Sequence, residues 1–269
     1  MMYYGHRTSC PMELVMPVSY FIGVESDPKS VKRNDLDLAR SDQYLIGMLY
    51  LAPANMSGWN TCGKDSTKGC REACLVNAGQ GGIVKRGETI SRANLARIER
   101  TNLFFERRAE TLTRIWSELA KLEKRAEKRG LKAAARLNGM SDLPWEKIVN
   151  PETFQTVFEA FPNIQFYDYT PNFNRMMSFC KGLMPANYWL TFSRKETSIN
   201  HMQCLAVLAA GGNVSVPFLT EDYPTEFYGR PTLDGTSSDL RFHDGRSHIV
   251  ALCAKGRKAK QDRTGFIVR

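Results

Sequence analysis

The stretch at residues 44–78, YLIGMLYLAPANMSGWNTCGKDSTKGCREACLVNA, decides the fold. It opens with an apolar run at 44–52, which is typical of a buried strand. A glycine-containing loop follows and carries three cysteines, Cys62, Cys70 and Cys74. Closely spaced thiols at the end of a buried strand predict a metal or an iron–sulfur site. We also expect a helix to begin at Cys74, where its N-terminus would favour the thiolate form.

The spacing C-x7-C-x3-C leaves several states open for these three thiols. Structural zinc usually takes four ligands, and no histidine is close to this loop in the sequence. Three cysteines without an evident fourth ligand suit a 4Fe–4S cluster with one open iron, and zinc is the alternative metal. A disulfide among the three, or three reduced thiols that only pack, are the remaining possibilities. Four further cysteines are scattered and predicted to pack as small apolar side chains, and each is also a candidate fourth ligand: Cys10, Cys180, Cys204 and Cys253.

The first residues, MMYYGHRTSC, do not show the basic segment and apolar run of a secretory signal peptide. We therefore expect a cytoplasmic protein. In a reducing compartment closely spaced cysteines bind metal more often than they form disulfides. No apolar stretch approaches the roughly 18 residues that a membrane-spanning helix needs, so we expect no contact with a membrane. The number of subunits is left open.

The chain has 269 residues, a net charge of +9 and a pI of about 9.2. This balance predicts an anionic partner, and nucleic acid is the first candidate. The basic residues at 92–136 alternate with glutamates and share an amphipathic helical pattern, which is typical of a solvated helix face. The run at 255–263, KGRKAKQDR, has a single acid, Asp262, and is predicted to contact phosphates. Its basic residues are Lys255, Arg257, Lys258, Lys260 and Arg263.

Strand and helix patterns alternate through the rest of the chain. Short apolar segments predict six strands, at 44–52, 133–137, 164–169, 188–193, 213–217 and 248–254. Helical patterns predict helices at 92–128, 151–160 and 201–210. This order indicates an α/β protein with right-handed βαβ units and a mostly parallel sheet, either open or curled into a full or partial (β/α) barrel.

We place the α/β domain at 44–269, with the cysteine loop at 58–79. Residues 1–43 are predicted to be a small N-terminal extension. Within that extension, 12–24 is predicted to add a pair of strands at the sheet edge, and 25–42 is predicted to be a polar loop.

In parallel sheets ligands bind beyond the carboxyl ends of the strands, so the polar residues there are candidates for function. The candidates for cofactor binding are Asn138, Ser141, Asp142, Thr170 and Ser193. The candidates for catalysis are Asp142, Asp168, Ser193 and Lys255. The alternative is that these residues cap helices or form turns.

Three further segments carry a family resemblance: RLNGMSD at 136–142, YDYT at 167–170, and DGTSSDLRFHDGRSHIVALCAKGRKAKQDRTGFIV at 234–268. Together with the cysteine loop they resemble the gene product 88 family of phage proteins, over roughly residues 44–269. That family is itself similar to the radical S-adenosylmethionine barrel, in which three cysteines after the first strand hold a four-iron cluster. The resemblance implies such a cluster here, with S-adenosylmethionine as a second cofactor and Asp142 in place of the glutamate that contacts the methionine amino group. A phage origin would place the protein in the host cytoplasm.

Two functions follow from this reading. The first is an iron–sulfur enzyme of the radical type that acts on nucleic acid or nucleotides. The second is a non-catalytic nucleic-acid-binding protein with a structural metal cluster. The sequence shows no serine–histidine–acid order, phosphate-binding glycine loop or zinc hydrolase motif, which disfavours the familiar hydrolases.

Overall fold

The six predicted apolar runs form six strands of a nine-stranded sheet in a computed structural model that describes residues 21–24 and 43–269. Most of these strands begin and end within one or two residues of their predicted bounds, because short segments that are apolar on both faces have few alternatives. In chain order the strands of the sheet are β1 (Ile22–Val24), β2 (Tyr44–Leu49), β3 (Lys132–Arg136), β4 (Ile164–Thr170), β5 (Tyr188–Ser193), β6 (Val214–Phe218), β7 (Glu226–Phe227), β8 (Arg230–Asp234) and β9 (Ile249–Cys253).

The strands lie side by side in the order β1-β2-β3-β4-β5-β6-β9-β8-β7. In this order every pair of neighbours from β2 to β8 is parallel: β2-β3, β3-β4, β4-β5, β5-β6, β6-β9 and β9-β8. The predicted mostly parallel α/β sheet is therefore confirmed. The sheet is open, because its two edge strands, β1 and β7, do not pair with each other. Each of them pairs antiparallel with its single neighbour. A fully closed barrel, one of the two predicted alternatives, is wrong.

Seven helices accompany the sheet in the described residues. They are α1 (Lys68–Glu72), α2 (Arg92–Glu106), α3 (Arg108–Lys128), α4 (Val157–Ala160), α5 (Phe173–Cys180), α6 (Ser198–Ala209) and α7 (Arg257–Lys260). The predicted helix at 92–128 is in fact two helices, which separate where Arg107 leaves the helical region with φ −122° and ψ 55°. The predicted helix at 151–160 is only α4, because a capping box between Thr156 and Glu159 starts the helix at Val157.

The two faces of the sheet are covered in different ways. On one face Leu45 and Leu49 pack with buried residues of α3 such as Ile115. On the other face Ile46 and Met48 cluster with Leu240, which belongs to the segment between β8 and β9. Among the described residues, this part of the second face is thus covered by the segment near 240 with its short 3-10 turn, and not by an α-helix.

The predicted strand pair at 12–24 is represented by β1, which is a strand at the edge of the sheet as expected. The carboxylate of Glu118 on α3 accepts the backbone N–H groups of Phe21 (2.8 Å) and Ile22 (2.6 Å) and so fixes this edge. Residues 12–20 and the predicted loop at 25–42 lie outside the described residues. None of the described helices combines the length and the hydropathy that crossing a membrane requires.

Candidate metal centre and polar strand ends

The cysteine loop leaves the sheet directly after β2 and folds back on it. The Thr61 hydroxyl donates to the Ala52 carbonyl at 2.6 Å, which brings Cys62 next to the strand end. Cys70 lies inside α1, and Cys74 follows the end of that helix at the start of a short 3-10 turn. A helix does begin at Cys74, which is the N-cap of Leu75–Asn77, but it is a single 3-10 turn and not the predicted longer helix.

The three thiols lie close enough to act on one another electrostatically. Burial raises the pKa of Cys70 to about 12, and the charges of Cys74 and Cys62 add to this rise. Burial also raises the pKa of Cys62 and of Cys74, and Cys62 contributes to the shift at Cys74. The predicted preference of Cys74 for the thiolate form is wrong for the metal-free chain, because burial outweighs its favourable contacts.

Backbone N–H groups also act on two of the sulfur atoms. Cys62 Sγ accepts the N–H of Ala54 at 3.1 Å, and the N–H groups of Val76 and Leu75 lower the pKa of Cys74 against the larger effect of burial. Such donors favour a thiolate over a thiol, and a bound cation deprotonates a coordinating thiol outright. This donor set fits a soft metal or an iron–sulfur cluster.

Metal binding nevertheless stays a prediction. Within residues 21–24 and 43–269, no three or more His, Cys, Asp or Glu side chains are grouped as the ligands of one metal ion would be. None of the cysteines in the described part of the chain forms a disulfide, so the predicted alternatives that remain for the three thiols are a metal site and simple packing.

At the end of β3, Asn138 organises the loop that follows. Its Oδ1 accepts the Ser141 hydroxyl (2.9 Å) and the Leu143 N–H (2.8 Å). Its backbone N–H donates to Asp168 Oδ1 at 2.8 Å, and its Nδ2 donates to Asp168 Oδ2 at 3.1 Å. Tyr188 donates to the same carboxylate at 2.9 Å. Asn138, Ser141 and Asp168 therefore bond to each other inside the protein.

A buried arginine joins the same region to α5. Arg175 Nη1 donates to Asp142 Oδ1 at 2.6 Å, and its other nitrogens donate to Glu146 and to the Tyr188 hydroxyl. The Thr170 hydroxyl donates to Asp142 Oδ2 at 3.2 Å. Burial raises the pKa of Asp142 to about 7 even though the Arg175 charge lowers it. Both oxygens of Asp142 thus already have partners.

The structure does not bring all the candidate catalytic residues together. Asp168 is 1% exposed under the helices, and burial raises its pKa to about 6. Ser193 is half-buried at the end of β5, and Ser215 is the residue opposite it on the neighbouring strand β6. Lys255 is exposed after β9. No hydrogen bond or ion pair in the described part of the chain joins Lys255 to Asp142, Asp168 or Ser193. A cavity of about 210 Å³ lies beyond β6, and the residues that line it include Phe218, Asp222 and Phe227.

A second polar cluster on the face opposite the helices was also not predicted. Arg136 lies over the ring of Tyr169 at 4.7 Å and forms an ion pair with Asp239 at 3.6 Å. Arg241, which is 1% exposed, forms an ion pair with Asp244 at 3.1 Å and donates to the Ser238 carbonyl. In the sequence, Arg136 ends the β3 segment KAAAR, and Asp239, Arg241 and Asp244 lie in the closing run that carries the family resemblance, but no local pattern indicated that these side chains meet.

The predicted phosphate-contacting run is a short helix, α7, with the turns around it. All five of its basic side chains are exposed, whereas Ala259 is buried. Asp262, the one acid, accepts the Thr264 hydroxyl and the Ile267 N–H, which lower its pKa. The positive charge of the run is therefore left facing solvent.

This basic run packs against the cysteine loop. Ala73, which lies between two of the cysteines, clusters with Ala259 and Ile267. Lys258 Nζ reaches Asn77 Oδ1 at 3.4 Å. The cysteine loop and the basic surface are thus neighbours.

The sheet with its cysteine loop defines an α/β protein of mostly parallel topology, and a comparison with known families assigns it more narrowly. The chain matches the family model described as Gene product 88 over residues 25–269 and belongs to that family. The resemblance seen in the sequence is confirmed to this extent. No curated protein and no solved structure matches the chain.

Proposed function

We propose that this gene product 88 protein holds a 4Fe–4S cluster through Cys62, Cys70 and Cys74. The observation that carries the proposal is the placement of three partly buried thiols in one loop after β2, where Cys62 and Cys74 lie within electrostatic range of Cys70 and the N–H of Ala54 donates to Cys62 Sγ. Zinc is the alternative metal, since thiolates bind both. When bound, a cluster would either supply one-electron chemistry or cross-link the loop.

The same proposal assigns nucleic acid as the partner, bound through Lys255, Arg257, Lys258, Lys260 and Arg263. These side chains are exposed, and Asp262 is turned into its own loop. A dense set of cations without exposed acids suits a polyanion better than a single small phosphate.

The function that the geometry supports best is the non-catalytic one, a nucleic-acid-binding protein with a structural cluster. Asp142 supports this choice, because its two oxygens bond to Arg175 and Thr170 and are not directed at a ligand. Asn138 and Ser141 likewise bond to each other. Polar side chains at the strand ends that bond to each other stabilise the fold and leave few atoms to contact a ligand.

One observation favours the second candidate, a radical enzyme that uses S-adenosylmethionine on nucleic acid or nucleotides. The parallel strands β2, β3, β4, β5, β6 and β9 follow each other in chain order, and the cysteine loop comes after the first of them. That is where the resemblance to radical enzymes would place the cluster ligands. In this reading Asn138, Ser141, Asp142, Thr170 and Ser193 would surround the second cofactor.

Metal analysis of cysteine variants tests the shared part of both candidates. We expect Cys62→Ala, Cys70→Ala and Cys74→Ala each to lose most of the bound metal, because the ligands of one centre act together. Cys180→Ala is the matched control, since this half-buried thiol ends α5 beside Gly212, before the start of β6, whereas the cysteine loop follows the end of β2, and the variant should keep the metal. Equal metal content in all four variants would contradict the proposal.

A further inference from the structure

Three consecutive charged residues follow β5, and one of them holds the helix that carries Cys70. Glu196 Oε1 accepts the N–H of Gly69 at 2.9 Å, and Glu196 Oε2 accepts the hydroxyl of Thr67 at 2.6 Å. Thr67 in turn caps α1 by accepting the N–H of Cys70. The Glu196 carboxylate thus fixes the start of α1 just before Cys70, although Glu196 follows β5 and is 127 positions from Gly69 in the sequence.

The adjacent Lys195 holds the loop at a second point. Its side chain is 8% exposed, and its Nζ donates to Asp65 Oδ1 (3.4 Å) and to the Pro171 carbonyl (3.1 Å). The backbone N–H of Lys195 donates to Asn200 Oδ1 at 2.6 Å, so the lysine is itself held in place by α6. Asp65 lies between two of the cysteines, which means that both halves of the loop are fixed from the end of β5.

The loop also has little room to move away from Glu196. A Cβ atom added to Gly69 would lie 2.2 Å from Thr264 Oγ1 and 2.7 Å from Phe266 Cβ. Only glycine fits this close approach of the backbone.

We propose that Glu196 and Lys195 are positioning residues of the cysteine site: they hold Cys70 where it can share a metal with Cys62 and Cys74. The inference rests on the proposed metal centre and adds the side chains that orient its ligands. Groups that orient metal ligands without touching the metal typically contribute 10–100-fold in metal affinity.

Cobalt titration of the full-length, metal-free protein tests this role. We expect Glu196→Ala to weaken Co²⁺ binding by about 10–100-fold and to change the thiolate-to-cobalt absorption. Glu196→Gln should recover part of the affinity, because its amide oxygen still accepts one of the two hydrogen bonds. Glu72→Ala is the matched control on the same helix, since Glu72 is exposed and pairs only with Lys68, and it should bind as the wild type does.

The outcomes separate the two claims. Wild-type protein that binds neither Co²⁺ nor reconstituted iron contradicts the metal centre itself, and the positioning role falls with it. A wild type that binds Co²⁺ and a Glu196→Ala variant with the same affinity and spectrum overturn the positioning role alone. If Glu196→Ala does not fold, Thr67→Ala removes one of the two contacts and should weaken binding several-fold; unchanged binding there would also overturn it.

Discussion

Arg175 Nη1 and Asp142 Oδ1 form an ion pair at 2.6 Å, with both side chains less than a tenth exposed. Glu146 completes the group at 2.9 Å from Arg175 Nη2. The pairing ties the loop after β3 to α5 through one guanidinium that bonds to two carboxylates.

We expect Arg175→Met to destabilise the protein by about 3–5 kcal/mol, because it leaves Asp142 and Glu146 buried without their partner. Urea unfolding measures the loss. Arg107→Met is the control, since Arg107 and Glu110 pair at 3.9 Å with both side chains more than half exposed, and it should cost about 1 kcal/mol or less. Similar losses in the two variants would mean that the buried group does not stabilise this region.

Asp168 gives a prediction for pH. Its pKa is raised to about 6 by burial, whereas an aspartate in the unfolded chain titrates near about 3.9. Between these values the folded chain keeps a proton that the unfolded chain has lost, so the free energy of unfolding falls as pH rises from about 4 to about 6. Asp168→Asn should remove this part of the decline, about 1–2 kcal/mol between pH 4.5 and 6.5.

Urea unfolding of wild type and variant at those two pH values checks the prediction. Asp222→Asn, a change at an exposed residue, should leave the wild-type decline intact. If Asp168→Asn declines as steeply as the wild type, the carboxyl is already ionised below this range.

The parallel sheet was predictable because β2, β4 and β5 are short runs that are apolar on both faces. By contrast β8 was missed, since its sequence RPTLD is polar and partly exposed and resembles a loop. The break between α2 and α3 was also missed, because the helical pattern of apolar residues continues through Arg107 and only the backbone angles show the interruption.

The candidate site divides in the same way. The three thiols were predictable, because they are close in sequence. The contact between Glu196 and Gly69 joins residues 127 positions apart, and no local pattern signals it. The pairing of Asp142 with Arg175 was likewise invisible, so a residue that looked available for a ligand proved to be bonded inside the protein.

The basic run predicts salt-dependent binding of nucleic acid. If its side chains contact phosphates, log affinity should fall with log salt by about 0.7–0.9 for each phosphate neutralised. Replacing Arg257, Lys258 and Lys260 with alanine should flatten this slope by up to about three units and leave the metal content unchanged. Fluorescence anisotropy at several salt concentrations measures it, with single- and double-stranded oligonucleotides compared.

A matched control replaces three exposed basic residues of α3, Lys121, Lys124 and Lys128, with alanine. This triple variant removes the same charge from a helix face where glutamates alternate with the cations, and it should keep the wild-type slope. Absence of binding by the wild type even at low salt would exclude nucleic acid and favour a small anionic ligand.

Anaerobic purification followed by iron and sulfide analysis and a visible spectrum tests the central claim most directly. The account predicts a brown protein with about four irons and four sulfides per chain and a broad visible absorption, all lost in Cys70→Ala. A colourless protein that contains zinc would show that the bound metal is zinc and not an iron–sulfur cluster. A colourless protein with neither iron nor zinc would contradict the metal centre and leave the three thiols as packing residues.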